Sequence, residues 1–201
     1  VIYTQMNGRV GQIDLIKKIC KKRKLFLIED AAHAIGSYNN KIHVGNSGIG
    51  SSFSFSMPKL ITMGQGGAVV TNNNKLAKRL RLYKNFGRKK SGEDVHKYIG
   101  YNFKITDMQS MLALEQLKTI NLRIKKKKYI FARYKDKLKN NSKIKFFDIK
   151  QSETPWSVDI YLKEVKEVKK IKKILEKNHI LTRYVYPPLN TQKIYNHFKN
   201  L

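Results

Sequence analysis

One cysteine, Cys20, occurs in 201 residues, so an intrachain disulfide framework is excluded and the chain fits a reducing compartment, the cytoplasm. Cys20 falls in an amphipathic helical stretch and reads as a small, half-buried core residue. No run of about 18 apolar residues is present, which argues against a membrane-spanning helix. The opening Val1-Ile2-Tyr3-Thr4 lacks the basic and apolar regions of a signal peptide, so a soluble protein with no membrane partner is expected. There is no internal repeat and no low-complexity linker. The chain also has no initiator Met and starts on strand-like apolar residues followed by Asn7-Gly8, as expected of a segment cut from a longer protein.

Acidic residues are scarce: 14 Asp and Glu stand against 42 Lys and Arg, a formal charge of +28. Such a balance points first to nucleic acid or an anionic membrane. The distribution argues otherwise, because the lysines of 17–24, 125–128 and 163–177 are interleaved with Ile, Leu and Val at helical spacing and read as solvated helix faces. Lys-, Asn- and Ile-rich usage also follows from AT-rich coding. No nucleic-acid partner is expected, and no metal.

The remaining pattern is α/β. Ile13, Ile16, Ile19 and Cys20 share one helical face, with Asp14 in the first turn where the helix dipole favours a carboxylate. Leu25 to Ile28 is a continuous apolar run ending in Glu29-Asp30, the pattern of a strand buried on both faces. Ligands of such sheets gather beyond the carboxyl ends of the strands, which is where Asp30 falls; capping a helix that begins at Ala31 is the alternative role. Strands are predicted over 52–56 and 68–71, with Lys59 on their connection. A helix is predicted from about Lys75 to Phe86, with Leu76, Leu80 and Tyr83 as its stripe and Gly87 as its cap, followed by a polar loop over 88–95. Thr106 or Asp107 caps a long helix from Met108 to about Leu138, whose apolar residues include Met111, Leu112, Leu114, Leu117 and Ile120. Beyond a hinge at Asn140-Asn141-Ser142 the pattern gives strands over 144–147, 156–162 and 180–186 around a helix from about Val165 to Lys177. The expected division is therefore 1–140, a large α/β domain with the long interdomain helix, and 141–201, a small α+β domain.

A site requirement can be matched to particular residues. An amine that forms and breaks a Schiff base with pyridoxal phosphate needs a fixed position, a carboxylate beside the cofactor's pyridine nitrogen, and donors for its phosphate. Lys59 supplies the amine and Asp30 the carboxylate. Ser54 and Ser56 offer hydroxyls, and Gly64, Gly66 and Gly67 would let backbone come close to a phosphate. His33 lies on the side of Asp30 if a helix starts there.

Together, Glu29-Asp30-Ala31-Ala32-His33, Phe53-Ser54-Phe55-Ser56 with Lys59, Gly64-Gln65-Gly66-Gly67-Ala68-Val69-Val70-Thr71, Lys84-Asn85-Phe86-Gly87, Gly100-Tyr101-Asn102-Phe103-Lys104-Ile105-Thr106-Asp107 and Thr182-Arg183-Tyr184 through Tyr186-Pro187-Pro188-Leu189 resemble the DegT-type nucleotide-sugar aminotransferases over nearly the whole chain. The resemblance implies a fold-type-I pyridoxal-phosphate transferase fold, here a partial large domain plus the small one. It implies that Lys59 is the covalent cofactor lysine, Asp30 the partner of the pyridine nitrogen, His33 the residue near the ring hydroxyl, and Ser54 a phosphate ligand. Asn102 would reach the phosphate of a neighbouring subunit's site in a homodimer, and Arg183 and Tyr186 would face the substrate. A nucleotide sugar and an amino-acid donor, glutamate, are the implied reactants. The Met57-Pro58 before the lysine and the turn with Gln65 are similar to perosamine-synthase-like members. Lysine at position 59, where dehydrating members carry histidine, implies transamination; a sugar dehydratase and a non-catalytic dimerisation partner are the alternatives. Family members are about twice this length, and their first half carries a phosphate cradle and a stacking aromatic that these residues lack. Should the 201 residues be the whole product, little activity and no cofactor absorbance near ~420 nm are expected.

Overall fold

The computed structural model describes residues 1–90 and 92–198 and divides into two compact units. The first comprises Val1–Asn140 and Phe146–Asp159; the second comprises Asn141–Lys145 and Ile160–Leu201. The segment Phe146–Asp159 thus belongs with the first unit although it follows Asn140 in sequence. Ser91 of the predicted 88–95 loop and residues 199–201 of the predicted second domain lie outside the described residues.

The first unit is built on β1 (Ile2–Thr4), α1 (Ile13–Lys22), β2 (Ile28–Asp30), β3 (Tyr38–Asn39), β4 (Ile42–His43), β5 (Gly50–Ser54), β6 (Gly67–Val70), α2 (Asn74–Lys84), α3 (Asp107–Lys118) and α4 (Ile120–Leu138). Its sheet has the order β1-β2-β5-β6, the first three strands parallel and β6 antiparallel to β5. The register sets Thr4, Asp30 and Ser52 side by side at the carboxyl edge. Val10, Ile13, Cys20, Leu27, Ala31, Ala34, Val44 and Phe53 form the core, so α1 lies on the sheet through Ile13 and Cys20. Truncating Ile13 to Ala would cost about 2–5 kcal/mol by the usual cavity penalty. Ile19, expected on the same face, is instead exposed.

Several boundaries differ from the sequence expectation. The strand predicted at Leu25 begins at Ile28: Leu25 closes α1 by donating to the Cys20 carbonyl, and the ladder starts only at the Ile2–Ile28 pair. Of the apolar run 25–28 only Leu27 is buried, while Glu29 is fully buried. The strands expected over 52–56 and 68–71 are Gly50–Ser54 and Gly67–Val70. The single helix expected over 108–138 is two, α3 and α4, broken at Thr119, whose backbone (φ −104°, ψ 12°) leaves the helical region. Thr106 caps α3 in a reciprocal capping box with Gln109. Asn73 caps α2 from a β-region backbone by accepting from Leu76 N–H. Met111, Leu112, Leu114 and Leu117 of α3 are exposed.

The second unit has a two-stranded sheet, β7 (Ile144–Phe146) with β8 (Ile160–Leu162), and α5 (Val165–Lys177), tied by a Lys143–Glu167 ion pair of 2.7 Å. The strand expected over 156–162 is shortened to β8 because Trp156 and Ser157 are held by side chains of the first unit's own residues. The run 180–186 forms no strand; Ile180 N–H turns back to the Leu175 carbonyl, and Leu181 is 93% exposed. No helix among the described residues is long and apolar enough to cross a membrane.

Candidate active site

Asp30 ends β2 at the carboxyl edge of the parallel strands, the position where ligands of α/β sheets collect. No helix follows it. Its Oδ1 accepts the Ala32 N–H at 3.1 Å, and Ala34 N–H closes a turn on the Ala31 carbonyl, so Asp30 caps an Asx turn rather than a helix. Thr4 Oγ1, beside it on β1, donates to its Oδ2 at 3.5 Å. Beyond the turn, His33 Nδ1 lies 3.5 Å from the Asn7 N–H.

Lys59 lies on the connection between β5 and β6. That connection is pinned by buried Leu60, Ile61 and Met63, by Met63 N–H donating to the Phe55 carbonyl (2.9 Å), and by Lys59 N–H donating to the Ser56 carbonyl (3.0 Å). Helix α3 clamps it from outside: Thr62 N–H donates to Gln116 Oε1 (3.1 Å), and Gln116 Nε2 donates to the Thr62 carbonyl (2.8 Å). Ser54 Oγ and Ser56 Oγ are 3.1 Å apart at the start of the connection. The glycines that follow serve the chain itself at two positions: a Cβ on Gly67 would sit 2.4 Å from the Phe53 carbonyl oxygen, and one on Gly66, at φ +145°, would meet the Met63 side chain. Of these three glycines, Gly64, at φ +81°, is the one that faces open space.

The Lys59 amine is half-buried and lies 4.7 Å from the centroid of the Trp156 ring. The same ring stacks on His33, with centroids 3.9 Å apart and planes 15° apart. Burial pushes the Lys59 pKa below the usual lysine value, partly opposed by the Asp30 charge. Burial and then the Lys59 charge push His33 below its ordinary value, against a smaller raising effect of Asp30. Both shifts run in the direction of the neutral imidazole and the neutral amine. Such an amine is a nucleophile for carbonyl carbon and can carry a proton.

Trp156 was read in the sequence only as a strand residue, and Glu29 only as part of a motif. Trp156 is brought to the site by 146–159, and no sequence spacing could signal that return. Its indole N–H donates to the Pro58 carbonyl (2.8 Å), and its own carbonyl accepts from Lys127 Nζ (2.7 Å). Asn7 fixes the next residue by three hydrogen bonds to Ser157. Arg9 forks onto Asp159 at 2.7 and 2.8 Å. Glu29 accepts from Gln5 Nε2 and from the backbone N–H groups of Gly45, Ser47 and Gly48, at 2.6 to 3.2 Å.

Thus Asp30, His33, Ser54 and Lys59 gather at one edge of the first unit. Asn102 takes no part in the contacts of that cluster. It forms a bridge with Asn85 beyond α2, and Asn85 lines a cavity of about 750 Å³ together with Lys78, Arg81, Lys84, Arg88 and Lys104. Arg183 and Tyr186 belong to the second unit, where the guanidinium lies 4.7 Å from the phenol ring centroid.

The sequence profile of the DegT/DnrJ/EryC1/StrS aminotransferase family matches residues 1–201. Among curated proteins, a Helicobacter pylori UDP-4-amino-4,6-dideoxy-N-acetyl-beta-L-altrosamine transaminase is 31% identical, the match covering 100% of this chain and 55% of the relative. The GDP-perosamine synthase of Escherichia coli O157:H7 is 31% identical over 98% of this chain and 54% of its own length. Among solved structures, Helicobacter pylori PseC, an aminotransferase involved in the biosynthesis of pseudoaminic acid, superposes with a TM-score of 0.92 at 30% identity, covering 100% of this chain and 56% of PseC. The chain spans about half the length of the curated relatives it matches.

Proposed function

Because the chain belongs to the DegT/DnrJ/EryC1/StrS aminotransferase family, we propose that it carries the lysine-bearing part of an enzyme that moves an amino group from glutamate to a 4-keto-6-deoxy nucleotide sugar, in deoxyamino-sugar and polysaccharide biosynthesis. The observation that carries this reading is the half-buried Lys59 amine, its pKa depressed by burial, next to the Asp30 carboxylate. The curated transaminase and perosamine synthase, both 31% identical, support the substrate class.

The residues present fit pyridoxal 5'-phosphate. A depressed lysine amine suits an aldehyde, a carboxylate at the strand edge suits a protonated ring nitrogen, and the paired hydroxyls of Ser54 and Ser56 suit a phosphate. When bound, that group supplies a reactive aldehyde and an electron-withdrawing pyridinium ring. Lys59 Nζ would be the group that holds the cofactor through its aldehyde, and as a free amine it would hold and move a proton. Asp30 would hold the ring nitrogen in its protonated form, and His33 would be the residue towards the ring hydroxyl. Lysine at position 59 favours amino transfer over dehydration.

Asn102 is assigned to the phosphate in the site of a second copy within a homodimer. Its separation from the Lys59 cluster and its bridge to Asn85 beside the cation-rich cavity support that role. Arg183 and Tyr186 are assigned to the substrate, and the free, buried Cys20 is in keeping with a cytoplasmic location.

Protein isolated from its source cells and given nitrogen-15 glutamate with keto-sugar nucleotides should yield a nucleotide sugar bearing the labelled amine, read by mass spectrometry. Loss of water from the sugar with no nitrogen gained would refute the assignment.

A further inference from the structure

We propose that Trp156 is a positioning residue of this site: its indole ring gathers the Lys59 amine and the His33 imidazole and fixes the reach of the lysine. The inference rests on the reading of Lys59 as the reactive amine.

The contacts on the ring are of three kinds. The Lys59 amine lies 4.7 Å from its centroid, His33 stacks on it at 3.9 Å, and its N–H is bonded to the carbonyl of Pro58, the residue before Lys59. One side chain therefore holds both the backbone that carries the lysine and the end of the lysine itself. The ring is in turn held from behind. Lys127 ties the Trp156 carbonyl, Asn7 ties Ser157 on both its N–H and its carbonyl, and Glu153 and Thr154 just before it are buried and hydrogen-bonded.

The consequence is physical. A free lysine side chain samples many rotamers, and ordering it costs conformational entropy; a ring that has already confined it lowers the cost of meeting a carbonyl carbon. The same ring takes water away from the amine. An aromatic face also attracts a cation, so the two effects oppose each other, and the depressed Lys59 pKa indicates that the loss of water prevails. The charged or titratable groups acting on His33 are Lys59 and Asp30, and Asn7 N–H approaches its Nδ1 at 3.5 Å.

The test needs no cofactor. Competitive acetylation of the 201-residue chain, mapped by mass spectrometry across pH, gives the labelling midpoint of Lys59 against exposed lysines such as Lys17. Lys59 should react with a midpoint below theirs, Trp156→Phe should keep it there, and Trp156→Leu should move it up towards them while circular dichroism shows a folded chain. A folded Trp156→Leu chain with the wild-type midpoint would overturn the proposal. Should the leucine variant not fold, emission from Trp156, the chain's single tryptophan, decides. It should be quenched as His33 is protonated below its ordinary pKa, a step absent in His33→Gln; an emission unchanged through that range overturns the proposal. Failure of the cofactor reading is separately visible. Protein isolated from its source cells and reduced with borohydride would then carry no pyridoxyl adduct on Lys59 even where the midpoint is displaced.

Discussion

Gln116 of α3 closes two hydrogen bonds on the backbone of Thr62, one accepted and one donated, three residues beyond Lys59. A side-chain amide here does the work of a neighbouring strand, because the connection from β5 to β6 has no ladder of its own at that point. Gln116→Leu should cost about 2 kcal/mol, two net hydrogen bonds' worth. It should also speed amide hydrogen exchange at residues 60–63 more than elsewhere. Denaturant unfolding and exchange mass spectrometry measure the two effects, and a stability loss with unchanged exchange in that loop would separate Gln116 from the Lys59 connection.

Glu29 behaves differently from the carboxylate next to it. It is fully buried and accepts from Gln5 and from three backbone N–H groups of residues 45–48, so it organises a loop rather than meeting a ligand. Glu29→Ala strands those donors and should destabilise the chain by about 3 kcal/mol or more. Denaturant midpoints test this; a change within ~0.5 kcal/mol, the range of an ordinary surface substitution, would contradict it.

The pH dependence of stability carries a signature of His33. Its pKa is lowered in the folded chain by burial and the Lys59 charge, so between the folded value and about 6.5, the ordinary value, the unfolded chain binds more protons. Stability is therefore lost as pH falls from about 6.5 through the folded pKa, and it levels off below. In His33→Gln that part of the slope should vanish. Thermal melts across this range measure it, and an identical slope in the variant would contradict the direction.

Asp30→Asn should leave the fold intact, since the amide oxygen can still accept the Ala32 N–H. It removes the charge that holds the Lys59 pKa up, so that pKa should fall further. Amino transfer should drop by about a hundredfold or more, the scale on which a misassigned proton acts. Labelling of Lys59 across pH reads the first effect and turnover the second.

Much of the site was legible because its residues are local. Asp30 ends a strand, and Ser54 and Lys59 lie on one strand and its exit, so spacing alone placed them together. The helix that was the alternative reading for residues after Asp30 is absent, because the Asp30 side chain accepts the Ala32 N–H and closes a turn there. Trp156 was not legible as a site residue. It reaches Pro58 from 98 residues away through ties made by Asn7 and Lys127, and local pattern carries no record of such a return. The break at Thr119 was equally hidden, because apolar spacing continues through it and only the backbone departs. The strand expected over 180–186 had suitable residues but gains no ladder partner among the described residues, and strand propensity without a partner does not make a strand.

The central claim is that Lys59 is the amine that takes pyridoxal phosphate. Protein purified from its source cells, reduced with borohydride during lysis and digested, reports this directly. The account predicts a pyridoxyl mass on Lys59 alone among the chain's lysines, lost when Lys59→Ala replaces it at its own locus. A pyridoxyl group on another lysine, with Lys59 unmodified, would contradict it.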